Sequence, residues 1–147
     1  MYRILIAIDG SDHSVKVIDE VITIAQPLNA EVTILNVTGE YDFKTSRIGI
    51  HMSDDYWVQV KKNMEEDARK IVEDAASKIS DHGISVKTEV VVGKHSPPEV
   101  ICKMADEGKY NLLVLGSKGL RGIQAAFLGS VSNKVAHCAK RNVLIVK

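Results

Sequence analysis

Five short apolar segments, separated by longer stretches with a helical period, limit most strongly what this chain can fold into. In chain order the segments read RILIAID, AEVTILNV, ISVKTEVVVG, YNLLVLG and NVLIVK. Most are continuously apolar, which is typical of strands buried on both faces of a parallel sheet. The third alternates in its first half, as expected for a strand nearer the sheet edge.

The stretches between these strands carry apolar stripes at helical spacing. In the first, the stripe consists of Val17, Val21, Ile24 and Ala25. In the second it consists of Val60, Met64, Ala68, Ile71, Val72, Ala75 and Ile79. The order βαβαβαβαβ predicts one α/β domain over residues 1–147. We expect a doubly wound, Rossmann-like, five-stranded parallel sheet with strand order 3-2-1-4-5 and helices on both faces.

Charge and hydropathy exclude several classes of protein. Nineteen basic and nineteen acidic residues cancel, whereas a general nucleic-acid binder normally carries a basic stripe. The apolar run from Ile4 to Ile8 is too short for the apolar region of a signal peptide or for a bilayer span. We therefore expect a cytoplasmic protein with no nucleic-acid partner and no membrane insertion.

The two cysteines, Cys102 and Cys138, lie in segments that look helical. They form no CxxC pair and no Cys/His spacing typical of a metal site. We therefore expect reduced, structural thiols, as in most cytosolic proteins.

The loop GSKGLRGIQAAFLGS, residues 116–130, follows the predicted fourth strand. In the expected strand order the first and fourth strands are neighbours, so Asp9 and Gly116 end at one crevice, where open parallel sheets bind ligands. Gly129 and Ser130 then begin a helix, whose N–H groups and positive dipole end suit a phosphate. Lys118 and Arg121 add positive charge from the same loop.

On these residues alone two interpretations stay open. The loop either binds a nucleotide, or its glycines only form turns and Ser130 only caps the helix. The loop contains no Gly-Lys-Ser/Thr sequence and no GxGxxG fingerprint, so neither common phosphate motif decides the question.

The spacing Gly116, Gly119, nine residues, Gly129-Ser130 resembles the glycine motif of the universal stress protein family, in its ATP-binding branch. ILIAIDGSDHS, AEVTILNV, LLVLGSKG and FLGSVSNKVA are also similar to the family's strands and loops. The resemblance implies nucleotide-binding roles for Ala7, Asp9, Val37, Leu115, Gly116, Gly119, Gly129, Ser130 and Val131. It implies further phosphate contacts from Ser117, Lys118, Arg121 and Ser132.

Alternatives to these roles remain at three kinds of position. Asp9 is either an acid that faces the nucleotide or one that caps a turn. Val37 either lines the adenine pocket or packs in the core. Lys118 and Arg121 either reach the phosphates or are solvated.

The resemblance implies an ATP-binding protein with a nucleotide-dependent regulatory or stress-response role. Any Mg²⁺ would be held mainly by the phosphates. We identify no catalytic residue and no metal ligand in the chain. The alternatives are a nucleotide-free interaction protein and a slow ATPase. The trigger, the protein partner and the role of residues 38–55, which lack a clear period, are not predicted.

The resemblance also implies a homodimer. The predicted last strand, Asn142 to Lys147, is apolar and lies at a sheet edge with unpaired backbone groups. Pairing with its copy across a two-fold axis would cover both edges. The alternative is a monomer whose edge is protected by its own side chains.

Overall fold

A computed structural model of the chain describes residues 1–39, 53–93, 95–118 and 128–147. Five strands form one sheet: β1 (Arg3–Ala7), β2 (Glu31–Gly39), β3 (Ser85–Gly93), β4 (Leu112–Gly116) and β5 (Asn142–Val146). All neighbouring pairs are parallel, and the order is β3-β2-β1-β4-β5. The predicted α/β fold and its strand order are confirmed.

Within the described residues, four helices connect the strands: α1 (His13–Leu28), α2 (Asp54–Ser80), α3 (Pro97–Glu107) and α4 (Ser130–Cys138). The first two pack on one face of the sheet and the last two on the other. Right-handed crossovers require this arrangement, because the chain reverses its direction across the sheet after β3.

Side chains of the central strands alternate between two cores. On the α1/α2 face, Ile4, Ile6 and Ile34 pack against Val17 and Val72. On the α3/α4 face, the strand residues Leu5, Leu35, Leu113 and Leu115 pack against Ile101, Ala105 and Val135 of the helices. Since both faces are covered, the central strands are apolar without alternation, as their sequences predict.

Helix α2 begins earlier than the apolar stripe alone predicts. Ser53 is its N-cap, and the Ser53 hydroxyl accepts a hydrogen bond of 3.3 Å from the Tyr56 N–H. Asp54 and Asp55 occupy the first turn, where acidic side chains suit the helix dipole. The buried residues of α2 are Ala68, Val72, Ala75 and Ile79, all of which belong to the predicted stripe.

The expectation of reduced thiols is wrong. Cys102 of α3 and Cys138, the last residue of α4, form a disulfide, and their Cα atoms lie 6.3 Å apart. Both helices cover the same face of the sheet, which brings residues 36 positions apart in sequence into contact. Neither the spacing of the cysteines in the sequence nor the local apolar period predicts such a contact between two helices.

Among the described residues, no helix combines the length and the hydropathy needed to cross a membrane.

Candidate functional site

The candidate site lies at the carboxyl edge of the sheet, where β1 and β4 are neighbours. Ala7 of β1 pairs with Leu115 of β4, and Gly116 pairs with Val146 of β5. From this edge β1 leads into α1 on one face, and β4 leads toward α4 on the other. The crossover direction therefore reverses here, which is where open α/β sheets bind their ligands.

The turn after β1 is held by Asp9. Its Oδ1 atom accepts a hydrogen bond of 3.0 Å from the Ser11 N–H and a longer one of 3.5 Å from the Ser14 hydroxyl. Gly10 in this turn has a φ of +78°, and a Cβ there would lie 2.8 Å from Ile71 Cδ1. The structure thus supports the role of Asp9 as a turn-capping acid, one of the two roles left open above.

A buried amide joins the ends of β1 and β2. Asn36 is 4% exposed, and its Nδ2 donates a hydrogen bond of 2.9 Å to the Ile8 carbonyl oxygen. Its Oδ1 accepts a hydrogen bond of 3.1 Å from the Thr38 hydroxyl. Sequence reasoning missed Asn36, although a lone amide inside the apolar strand VTILNV was a usable signal.

Two hydrogen bonds hold the start of α4 against the end of β4, and a third joins the end of β4 to β5. The Ser117 N–H donates to the Val146 carbonyl at 2.8 Å, and the Gly129 N–H donates to the Ser117 carbonyl at 2.8 Å. The Ser132 hydroxyl, in the first turn of α4, donates to the Gly116 carbonyl at 2.6 Å. Both ends of the glycine loop are therefore fixed at one place on the sheet edge.

The N-cap of α4 is Gly129, which has no side chain to accept hydrogen bonds from the first-turn N–H groups. Ser130 is the first helical residue and is exposed. The interpretation of Ser130 as a helix cap is therefore wrong. A helix start without a side-chain cap leaves its N–H groups to water or to an anionic ligand.

An apolar surface lies beside this helix start. Ala7, Val37 and Val131 are only partly buried and pack against the α3/α4-face core that contains Leu35 and Leu115. Val37 therefore packs in the core while part of its side chain stays accessible, so its role in an adenine pocket stays a prediction. Apolar contact next to free N–H groups can accommodate a flat ring attached to an anionic group.

Most of the predicted residues come together at this edge. Lys118 directly follows Ser117 and is half-buried. Gly119 and Arg121 fall outside the described residues, so their predicted roles stay predictions. The Ser132 hydroxyl donates its hydrogen bond to the Gly116 carbonyl, so in this arrangement Ser132 links α4 to β4.

The described residues contain no candidate metal site, and one groove among them lies away from this edge. Within the described ranges, no group of three or more His, Cys, Asp or Glu side chains could hold a metal ion. A groove of ≈ 400 Å³ between β3 and α3 is lined by residues such as Glu89, His95 and Lys103. None of the predicted nucleotide-binding residues lines it.

Comparison with known proteins places the chain in a family. The sequence model of the Universal stress protein family matches residues 1–147. The universal stress protein YxiE of Bacillus subtilis (strain 168) is 33% identical over 147 residues, which cover 99% of this chain and 98% of that protein.

Two solved structures are similar over nearly the whole chain. The structure of MJ0577, a universal stress protein of Methanocaldococcus jannaschii, has a TM-score of 0.85 at 27% identity and covers 99% of this chain and 94% of its own. A universal stress protein solved in complex with cAMP has a TM-score of 0.67 at 27% identity and covers 99% and 95%. Since the family model matches every residue of the sequence, the chain belongs to the universal stress protein family.

Proposed function

We propose that the protein binds an adenine nucleotide, ATP, at the carboxyl edge between β1 and β4, and acts as a nucleotide-dependent regulatory protein. The observation that carries the proposal is the start of α4. It has no side-chain cap, and the hydroxyl of Ser132 fixes it beside the end of β4.

The phosphate end of the ligand would lie at this helix start. The backbone N–H groups of Ser130 and Val131 and the positive end of the dipole favour an anion there. The exposed Ser130 hydroxyl and the Lys118 ammonium can add contacts. Gly119 and Arg121 are assigned to the same phosphates by the glycine motif alone.

The adenine end would lie against the apolar surface of Ala7, Val37 and Val131, with the buried Leu115 packed beneath it. This surface adjoins the helix start, so one ligand can contact both. The relative solved with cAMP binds an adenine nucleotide, which supports the same ligand class for this chain.

We propose little or no efficient catalysis. Phosphoryl transfer needs metal ligands and a group that orients the attacking oxygen. Asp9 is the acid that follows β1 at the proposed site. Its Oδ1 accepts a hydrogen bond within the turn that leads to α1. Any Mg²⁺ would be held mainly by the phosphates, since this ion commonly keeps few protein ligands.

The regulatory part of the proposal concerns surfaces near the site. ATP can shift an equilibrium between two arrangements only by its differential affinity for them. A bound phosphate that contacts the glycine loop, residues 116–130, in one arrangement only would provide that difference, and a protein partner would recognise the resulting surface. We propose a homodimer through β5 and the cytoplasm as the setting of this activity.

The first experiment is mass spectrometry of small molecules released when the purified protein is denatured. It is followed by ATP titration of the stripped protein, with and without Mg²⁺, and by an assay of phosphate release. Co-purified ATP, or saturable binding with negligible turnover, is the expected result. Absence of adenine-nucleotide binding would favour a nucleotide-free interaction protein, and steady turnover would favour a slow ATPase.

A further inference from the structure

We propose that the Cys102–Cys138 disulfide is a reversible thiol–disulfide exchange site for a dithiol reductant. We further propose that its redox state sets the affinity of the nucleotide site through α4. The inference rests on the proposed function, because nucleotide affinity is what the disulfide would control.

The disulfide and the proposed phosphate site lie at opposite ends of one short helix. Gly129 caps the start of α4, and Cys138 is its last residue. At 1.5 Å per residue, the first and last Cα atoms of this helix are about 12 Å apart. A rigid helix of that length transmits a displacement of one end directly to the other.

Helix α4 has few other anchors in the core. Only Ser132 and Val135 are buried among its nine residues. Val131 also packs against the core but is only partly buried. The covalent bond to α3 therefore adds to a small number of contacts that hold α4 in place.

The two cysteine residues differ in their exposure to solvent, and therefore in their access to a reductant. Cys138 is exposed, whereas Cys102 is 7% exposed and packs in the α3/α4-face core. A thiolate of the reductant can therefore attack the sulfur of Cys138, and the Cys102 thiolate leaves and takes up a proton. The second thiol of the reductant then attacks the mixed disulfide and releases Cys138 as a thiol. The reductant leaves as a disulfide, and the protein has gained two electrons and two protons.

After reduction, each of the two cysteine thiols would have a backbone carbonyl oxygen nearby as a hydrogen-bond acceptor. The Cys102 sulfur lies 3.9 Å from the Val135 carbonyl oxygen, and the Cys138 sulfur lies 3.8 Å from the Pro98 carbonyl oxygen. Each thiol could donate its weak hydrogen bond without rearrangement of the backbone. Both redox states are thus compatible with the fold, so reduction loosens α4 without removing its surroundings.

The cytoplasm, which we propose as the setting of this protein, favours a regulatory role for the disulfide. In reducing cells, protein disulfides are usually transient, catalytic or redox-sensing. An exposed cysteine at the end of a short helix with two buried residues fits such a role better than that of a permanent structural disulfide.

The test measures ATP dissociation constants for the oxidised protein and for the protein reduced with dithiothreitol. Mass spectrometry of the alkylated thiols verifies each state. We expect reduction to weaken ATP binding by about tenfold, and oxidation to restore it. By reciprocity, saturating ATP should then lower the reduction potential of the pair by about 30 mV.

Cys138→Ser is the matched variant, because the exposed position tolerates a hydroxyl. It should bind ATP like the reduced protein and should not respond to dithiothreitol. Wild-type titrations alone still decide the question if this variant fails to fold.

Equal ATP affinity in both redox states would overturn the inference while leaving the proposed function intact. A disulfide that dithiothreitol cannot reduce in the folded protein would overturn the exchange site. Failure of both redox states to bind ATP would overturn the proposed function itself, and the coupling with it.

Discussion

The side-chain amide of Asn36 donates a 2.9 Å hydrogen bond to the backbone carbonyl of Ile8, the residue that follows β1. This bond adds a side-chain link between the ends of β1 and β2 at the edge where the candidate site lies. The Thr38 hydroxyl donates to the same amide group. The bond therefore couples the stability of the sheet to the geometry of the site.

Asn36→Asp should reduce both stability and nucleotide binding. The carboxylate keeps the shape of the amide but cannot donate to Ile8, and it buries a charge. We expect a loss of about 1–3 kcal/mol in the free energy of unfolding, measured by urea denaturation. Asn63→Asp, at an exposed position of α2, is the matched control. It should change the free energy of unfolding by less than about 0.5 kcal/mol. Similar losses in the two variants would contradict the role of Asn36.

Gly129→Val should weaken ATP binding without unfolding the protein. The φ of −55° at Gly129 is open to any residue, but a branched side chain would cover the first-turn N–H groups of α4. We expect affinity to fall by about tenfold or more, equivalent to about 1.4 kcal/mol of binding free energy. Calorimetric titration measures the change.

Gly93→Val provides the comparison for this variant. Gly93 also ends a strand at the carboxyl edge, and a Cβ there would meet nothing within 4 Å. Its ATP affinity should equal that of the wild type. If both valine variants bind ATP normally, the start of α4 is not the phosphate site.

Two serines of α4 should separate binding from stability. Ser132→Ala removes the 2.6 Å tie to the Gly116 carbonyl, so it should lower stability by about 1 kcal/mol and also weaken ATP binding. Ser130→Ala removes an exposed hydroxyl, so it should weaken ATP binding alone. Urea denaturation and ATP titration of both variants give the comparison, and a stability loss at Ser130 without one at Ser132 would reverse these assignments.

Ile145→Pro should yield monomers if the dimer forms through β5. The Val146 carbonyl accepts from the Ser117 N–H, so Val146 and Leu144 direct their backbone groups toward β4, and Ile145 directs its own outward. Proline at Ile145 therefore removes an outward N–H and spares the pairing with β4. Light scattering after size exclusion measures the mass, and a dimer that survives points to another interface.

Leu144→Pro serves as the contrasting variant. It would break a bond between β5 and β4 and so destabilise the sheet itself. Loss of the dimer together with loss of stability at Leu144, but loss of the dimer alone at Ile145, would establish the edge-strand interface.

The sheet could be predicted from the sequence because each strand and helix is marked by a local pattern of apolar residues. Continuous apolar runs and helical stripes give the elements, and the handedness of crossovers gives their order. The crevice between Asp9 and Gly116 follows from that order. The glycine spacing was readable for the same reason, since the motif lies within a single loop and helix start.

What the sequence did not reveal depends on side-chain direction and contacts between distant segments. The bond from Asn36 to Ile8 requires the relative placement of two strands, and the direction of the Ser132 hydroxyl requires the helix to be docked. The disulfide requires the rotation of both α3 and α4 about their axes. No spacing between Cys102 and Cys138 encodes that rotation.

The disulfide also closes the chain into a covalent ring that contains β4, the whole glycine loop and all of α4. A protease that cuts once anywhere between Cys102 and Cys138 therefore leaves two fragments joined in the oxidised protein. On a non-reducing gel the nicked chain runs as a single species, and only addition of a reductant separates it. A cut in the loop would thus leave α4 and β5 covalently attached to the fragment that carries β1 to β4.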